Sequence, residues 1–320
     1  MRRKSGWTGR TSLYSLLVGQ TLGLQIAAIA LGLTLPLIAV VPLRLQERVI
    51  DDAIPAADVA LILQLAAIYV ATVLLSAVVK FLVSYTRSWI AEIVSRIIRV
   101  AMVEAQRHRK GPTATHTLGT VTSVITGEVE DLGAFAAEAL NTPLIEGGTM
   151  ISLLGFIAYS RTDLAMIGVA AMVFQAVLTP LVQSHINRLT RKRIKALRRA
   201  GLDMIEAAVP GRHIQIVEAL REIRHTYRLR LRMNLMKALL KVANNLIMNA
   251  ASIAVLTYGG WLVIKGEMGI GLIVAFLSGL SQISDHWGEL LDFYRRYTDA
   301  RVKYGLVTSA LAIDQVPRSA

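Results

Sequence analysis

Six apolar stretches, at 13–41, 58–79, 139–159, 164–186, 242–264 and 268–290, constrain this chain more than any other feature of its sequence. Each is about as long as the roughly 20 residues of helix that cross a bilayer's hydrocarbon core, or longer. Inside lipid every backbone N–H and C=O has to be satisfied within the segment, and a helix does this alone. The reading is an all-α polytopic membrane protein, and 54% hydrophobic residues across 320 agrees with it. The first stretch is much longer than a signal-peptide core and ends without a small-residue cleavage site, so it is read as a retained first span.

The links between stretches alternate in length. Short links carry Asp51, Asp52 and Asp58, then Ser160 to Asp163, then Lys265 to Glu267; the links 80–138 and 187–241 are long. Of the 35 lysines and arginines, only Arg44, Arg48, Arg161 and Lys265 fall on the short-link side. Positive residues mark the cytoplasmic side. The long links and both termini are therefore placed in the cytoplasm and the protein in the inner (plasma) membrane. A net charge of +13 is then a consequence of topology and anionic lipid, and nucleic acid is not expected as a partner. The chain has no cysteine, which removes disulfides and thiolate chemistry; its six histidines show no ligand spacing, so no metal is expected.

The long links read as helices. From Leu82 to Met102 apolar residues recur at helical spacing with Arg87, Glu92, Arg96 and Arg99 between them, which predicts that the second span continues to about Gln106. Gly111-Pro112 ends that helix, and a second one, striped by Leu118, Val121, Ile125, Leu132 and Phe135, runs into the third span. The other link repeats the plan: a basic continuation over Asn187 to Arg199, an interruption at Pro210-Gly211, and a helix from Ile216 into the fifth span. The expected architecture is a six-span bundle with two cytoplasmic helical hairpins.

Three stretches carry a resemblance to the transmembrane domain of ABC exporters. Pro42-Leu-Arg-Leu-Gln-Glu-Arg-Val-Ile-Asp-Asp-Ala-Ile-Pro55 resembles the family's first external segment, and Ser123-Val-Ile-Thr-Gly-Glu-Val-Glu-Asp-Leu132 the acidic approach to its third span. Tyr258 to Phe276, with Gly259-Gly260, the turn Lys265-Gly-Glu267 and Gly269-Ile-Gly271, is similar to the turn between spans five and six. The resemblance covers nearly the whole chain, with 1–310 as the membrane domain and 311–320 as a tail. It implies the membrane-spanning subunit of an ATP-driven exporter, forming its path as a homodimer or heterodimer with a second membrane domain. It also implies hairpin tips that dock on a nucleotide-binding subunit. No Gly-x-x-x-x-Gly-Lys-Ser/Thr phosphate loop occurs in the sequence, so no cofactor is expected on this chain, and ATP with magnesium belongs to the ATPase partner. Under this reading the chain is a transporter subunit and not itself an enzyme. Alternatives are a non-transporting scaffold or accessory protein of the same fold, and an importer-type permease.

The expected coupling tips are Arg107, His108, Arg109, Lys110, Gly111 and Pro112, and Glu206, Ala207, Ala208, Val209, Pro210 and Gly211. The second is read against the importer loop that begins Glu-Ala-Ala: here the glycine comes one position early and the Ile-x-Leu-Pro ending is missing, which favours the exporter. Glu146, Asp285, Asn245 and Asn249 are candidates for the translocation path, because polar groups at membrane depth face a cavity or a partner. For Glu146 and Asp285 a cation-attracting vestibule and simple ion pairing stay open as readings. Glu289 and Asp292 are expected to pair with Arg295 or Arg296, and the asparagines of the fifth span to join helices.

Overall fold

In the computed structural model, residues 21–107, 128–207 and 214–312 are described. Among them every regular element is helical. The elements are α1 (Leu22–Gly32), α2 (Thr34–Ala39), α3 (Val41–Arg48), a π-helical turn (Val49–Ala53), α4 (Val59–Arg107), α5 (Val129–Glu138), α6 (Asn141–Ser160), α7 (Thr162–Ala207), α8 (Ile214–Ile264) and α9 (Ile270–Ala312).

Five helical runs are long and apolar enough to cross a membrane: Leu22–Ala53, Val59–Glu104, Val129–Ser160, Thr162–Leu197 and Leu220–Ile264. The expected sixth span is present as α9, a helix of 43 residues, but it is not among those five. Its apolar run is cut short by Ser281, Gln282, Asp285, His286 and Glu289. It also continues past the expected end at 290, because Phe293, Tyr297, Ala300, Tyr304 and Val307 form a stripe that packs on α4 and α5.

The first span is interrupted where its sequence provides breakers. Pro36 and Pro42 fall near the starts of α2 and α3, and the Thr34 hydroxyl donates to the Leu31 carbonyl at 2.7 Å. The link into the third span also departs from expectation: α5 and α6 are separate, broken at Ala139–Leu140. Pro143 explains the break, since it has no N–H to give the Ala139 carbonyl.

The chain forms two compact units, Met1–Tyr159 with Gly269–Ala320, and Ser160–Met268. In the first, Ile90, Val94, Ile98 and Met102 of α4 meet Val129, Leu132, Phe135 and Ala136 of α5 in a closed core. Gly133 permits the approach: a Cβ there would lie 2.1 Å from Ser95 Oγ and 2.5 Å from the Ala91 carbonyl. Phe135 stacks on Phe293 at 6.0 Å and meets Tyr297 at 5.9 Å, which fastens α9 to the pair. Gln25 and Asn141, both fully buried, join α1 to α5 and α6: Gln25 Nε2 donates to the Ala136 carbonyl at 2.8 Å, and Asn141 Nδ2 to Gln25 Oε1 at 3.0 Å. Such amide contacts join neighbouring helices within a membrane and help to hold their register.

The second unit is the antiparallel pair α7 and α8. Tyr258 Oη donates to Asp163 Oδ2 at 3.2 Å, Gln175 Nε2 to the Asn244 carbonyl at 3.0 Å, Thr190 meets Met233 Sδ at 3.9 Å, and Arg199 faces Glu222 at 4.0 Å. From Asp163 to Arg199 α7 advances 36 positions while α8 falls back 36 from Tyr258 to Glu222, so one register holds along the pair. At one end Arg161 pairs with Asp163 at 3.0 Å and donates to the Glu267 carbonyl at 3.2 Å. There α8 closes in a Schellman turn: Gly266, at φ +75°, donates to the Val263 carbonyl and Glu267 to the Leu262 carbonyl. The turn read from Lys265-Gly-Glu267 is a helix cap.

Candidate functional site

The first unit holds a polar cavity of about 310 Å³ between α2, α3, α4, α6 and α9. Helix α4 supplies Lys80, Ser84 and Arg87, spaced by four and three residues and so aligned on one face. Helix α6 supplies Glu146 and Thr149, and α9 supplies Gln282 and His286. Leu35, Ile38 and Val83 complete the wall with apolar surface.

Across the cavity His286 Nδ1 lies 2.6 Å from Glu146 Oε2, a charge-assisted contact between side chains only 23% and 17% exposed. Arg87 Nε is buried and makes no hydrogen bond. Further along α9, Arg296 pairs with Glu138 at 2.6 Å and lies 4.0 Å from Glu289, while Arg295 takes Asp292 at 2.7 Å. The pairing expected for Glu289 and Asp292 is the one observed.

Of the candidate path residues, Glu146 lines this cavity and Asp285 is exposed on α9 next to His286. Asn245 and Asn249 belong to the other unit, one turn apart and exposed on α8. Their neighbour Asn244 instead uses its carbonyl to hold α7. Of the expected coupling tips, Arg107 lies on α4, and Glu206 and Ala207 lie on α7; His108 to Pro112 and Ala208 to Gly211 lie outside the described residues. No group of histidine and acidic side chains among the described residues is arranged to hold a metal ion. A second cavity, of about 380 Å³, is lined by Leu45, Val49, Leu65, Tyr69 and neighbours and carries no charged side chain.

Sequence reasoning did not single out Lys80, Arg87 or His286 as site residues. A signal was there: two cations two helical turns apart inside a helix whose other faces are apolar. What could not be read was that α6 and α9 bring Glu146 and His286 to the same face.

The family model for the ABC transporter transmembrane region matches residues 22–208 and 211–287. The chain belongs to that family. It is a multi-pass membrane protein and a membrane subunit of an ABC transporter. None of the curated proteins matches it.

Proposed function

We propose that this chain is the membrane-spanning half of an exporter, paired with a second membrane domain and driven by ATP hydrolysis in a separate nucleotide-binding subunit. The observation that carries the reading is helix length. Helices α4, α7 and α8 have 49, 46 and 51 residues. At the standard rise each is about 70 Å or longer, against about 30 Å of hydrocarbon. We read the excess of each helix as a rigid lever beyond the hydrocarbon, and a motor that shifts the Arg107 and Glu206 regions would tilt the spans attached to them. The crowding of basic residues on α7 and α8, from Arg188 to Lys241, supports a cytoplasmic side for the levers and the termini, in the plasma or inner membrane. The exposed amides of Asn245 and Asn249 on α8 support a path or a second membrane domain covering that face.

The test is reconstitution. Membranes containing the chain and its copurified ATPase are expected to accumulate cargo in inside-out vesicles only with hydrolysable ATP. Arg107→Pro and Ala207→Pro are expected to bring ATPase activity down to that of the free ATPase subunit, with membrane insertion and elution volume unchanged. Uptake driven by an ion gradient without ATP, or full stimulation in both proline variants, overturns the reading. A chain that binds the ATPase and moves nothing would be a scaffold.

A further inference from the structure

We infer that the cavity between α4, α6 and α9 is a binding site for the anionic headgroup of an amphipathic molecule. Three observations on different helices carry this.

The first is charge. Lys80 and Arg87 both line the cavity, and Glu146 is the one carboxylate that does. Glu146 is engaged by His286 at 2.6 Å, and the nearby Glu138 by Arg296 at 2.6 Å. Glu146 thus offsets at most one of the two cations, Lys80 and Arg87. The lining is therefore net positive before a ligand arrives. Lys80 makes no ion pair among the described residues.

The second is an unmet donor. Arg87 Nε is buried and unbonded, and a buried donor without a partner costs about 1–3 kcal/mol, a cost that a bound oxyanion would remove. Lys80, Ser84 and Arg87 share one face over two turns, so their donors converge on one side of the cavity. A carboxylate or phosphate offers the acceptor oxygens they need; a quaternary ammonium offers none.

The third is the apolar part of the wall. Leu35, Ile38, Val83 and Ile145 present apolar surface to the same cavity, which three of the helical runs long and apolar enough to cross a membrane help to line. A ligand with a charged head and an apolar tail satisfies both parts, whereas a small inorganic anion satisfies one. This carboxylate or phosphate could come from a solute or from a lipid headgroup.

The assignment rests on the transport reading only in calling the ligand a cargo; binding itself needs no ATPase. The experiment uses the full chain in nanodiscs of phosphatidylcholine and follows equilibrium binding of radiolabelled decyl phosphate. Saturable binding is expected, with competition by decanoate and none by decyltrimethylammonium. Lys80→Gln and Arg87→Gln are each expected to weaken it by about tenfold. Lys80→Arg is expected to restore near-normal affinity, which a merely structural lysine would not require, and Lys80→Glu to abolish binding while the chain still elutes as the wild type. Discs containing phosphatidylglycerol separate the two sources: displacement of decyl phosphate identifies a lipid headgroup, and undiminished binding a solute anion. Equal affinity in the Lys80→Gln, Arg87→Gln double variant, or equal competition by the cationic amphiphile, overturns the assignment. Charge-selective binding with no ATP-driven movement would sink the exporter reading and leave the site standing.

Discussion

At the scale of single residues, one contact decides how the sixth helix begins. The first turn of α9 exposes backbone N–H groups with no helical acceptor, and Asp51, from the π-helical turn 220 positions earlier, takes the one at Gly271 at 2.7 Å. A carboxylate there also meets the positive end of the helix dipole. The fit leaves no room: a Cβ on Gly269 would lie 2.2 Å from Asp51 Oδ2, and one on Gly271 2.5 Å from the Glu47 carbonyl. The backbone carbonyl cannot swing aside as a side chain would. Gly271→Ala is therefore expected to lower stability by about 1–3 kcal/mol, the usual range for overpacking. Asp51→Asn keeps the shape and loses the charge, and is expected to cost about 1 kcal/mol. Thermal unfolding in detergent, followed by scattering or a thiol-independent dye, reads both. A midpoint for Gly271→Ala equal to that of the wild type would mean that α9 does not start against this turn.

At the scale of elements, Phe135 is the side chain on which three helices depend. It is 2% exposed within the α4–α5 core and touches Phe293 and Tyr297 of α9. Phe135→Ala removes both ring contacts and opens a void, with an expected loss of about 3–5 kcal/mol. Phe135→Leu keeps most of the volume and is expected to lose less than half as much. Denaturation of the purified chain distinguishes them, and equal small losses would show that α9 is held elsewhere. The elements themselves were largely legible. Long apolar runs without breakers become long helices because propagation costs little once a turn exists, which is why α4 runs unbroken through the amphipathic stretch 82–102. Two features were not legible. The break at Ala139–Leu140 depends on Pro143, a single residue in an otherwise continuous pattern, and the extension of α9 to Ala312 depends on partners far away in sequence. The candidate site was legible only in part for the same reason: Glu146 stood out as a lone charge in an apolar run, but its partner His286 lies 140 positions away, and periodicity within one helix says nothing about the face of another.

At the scale of the whole molecule, the distribution of charge makes an orientation claim that each short link can test. The links at Ile54 to Asp58 and Lys265 to Glu267 close without basic clusters, while α7 and α8 carry theirs from Arg188 onward. Moving that many cations across the bilayer during insertion is far less favourable than leaving them where they are made, so in the proposed orientation the short links are expected to cross and the long helices to stay. Because the native sequence has no cysteine, each introduced thiol reports without background. Ala56→Cys and Glu267→Cys are expected to react with a membrane-impermeant maleimide in intact cells. Glu104→Cys and Lys192→Cys, exposed on α4 and α7, are expected to react only after permeabilisation. Labelling of Lys192→Cys in intact cells, with Glu267→Cys protected, would invert the topology and place the lever ends on the side that has no ATP; mixed labelling of both in one population would mean that charge does not set the orientation at all.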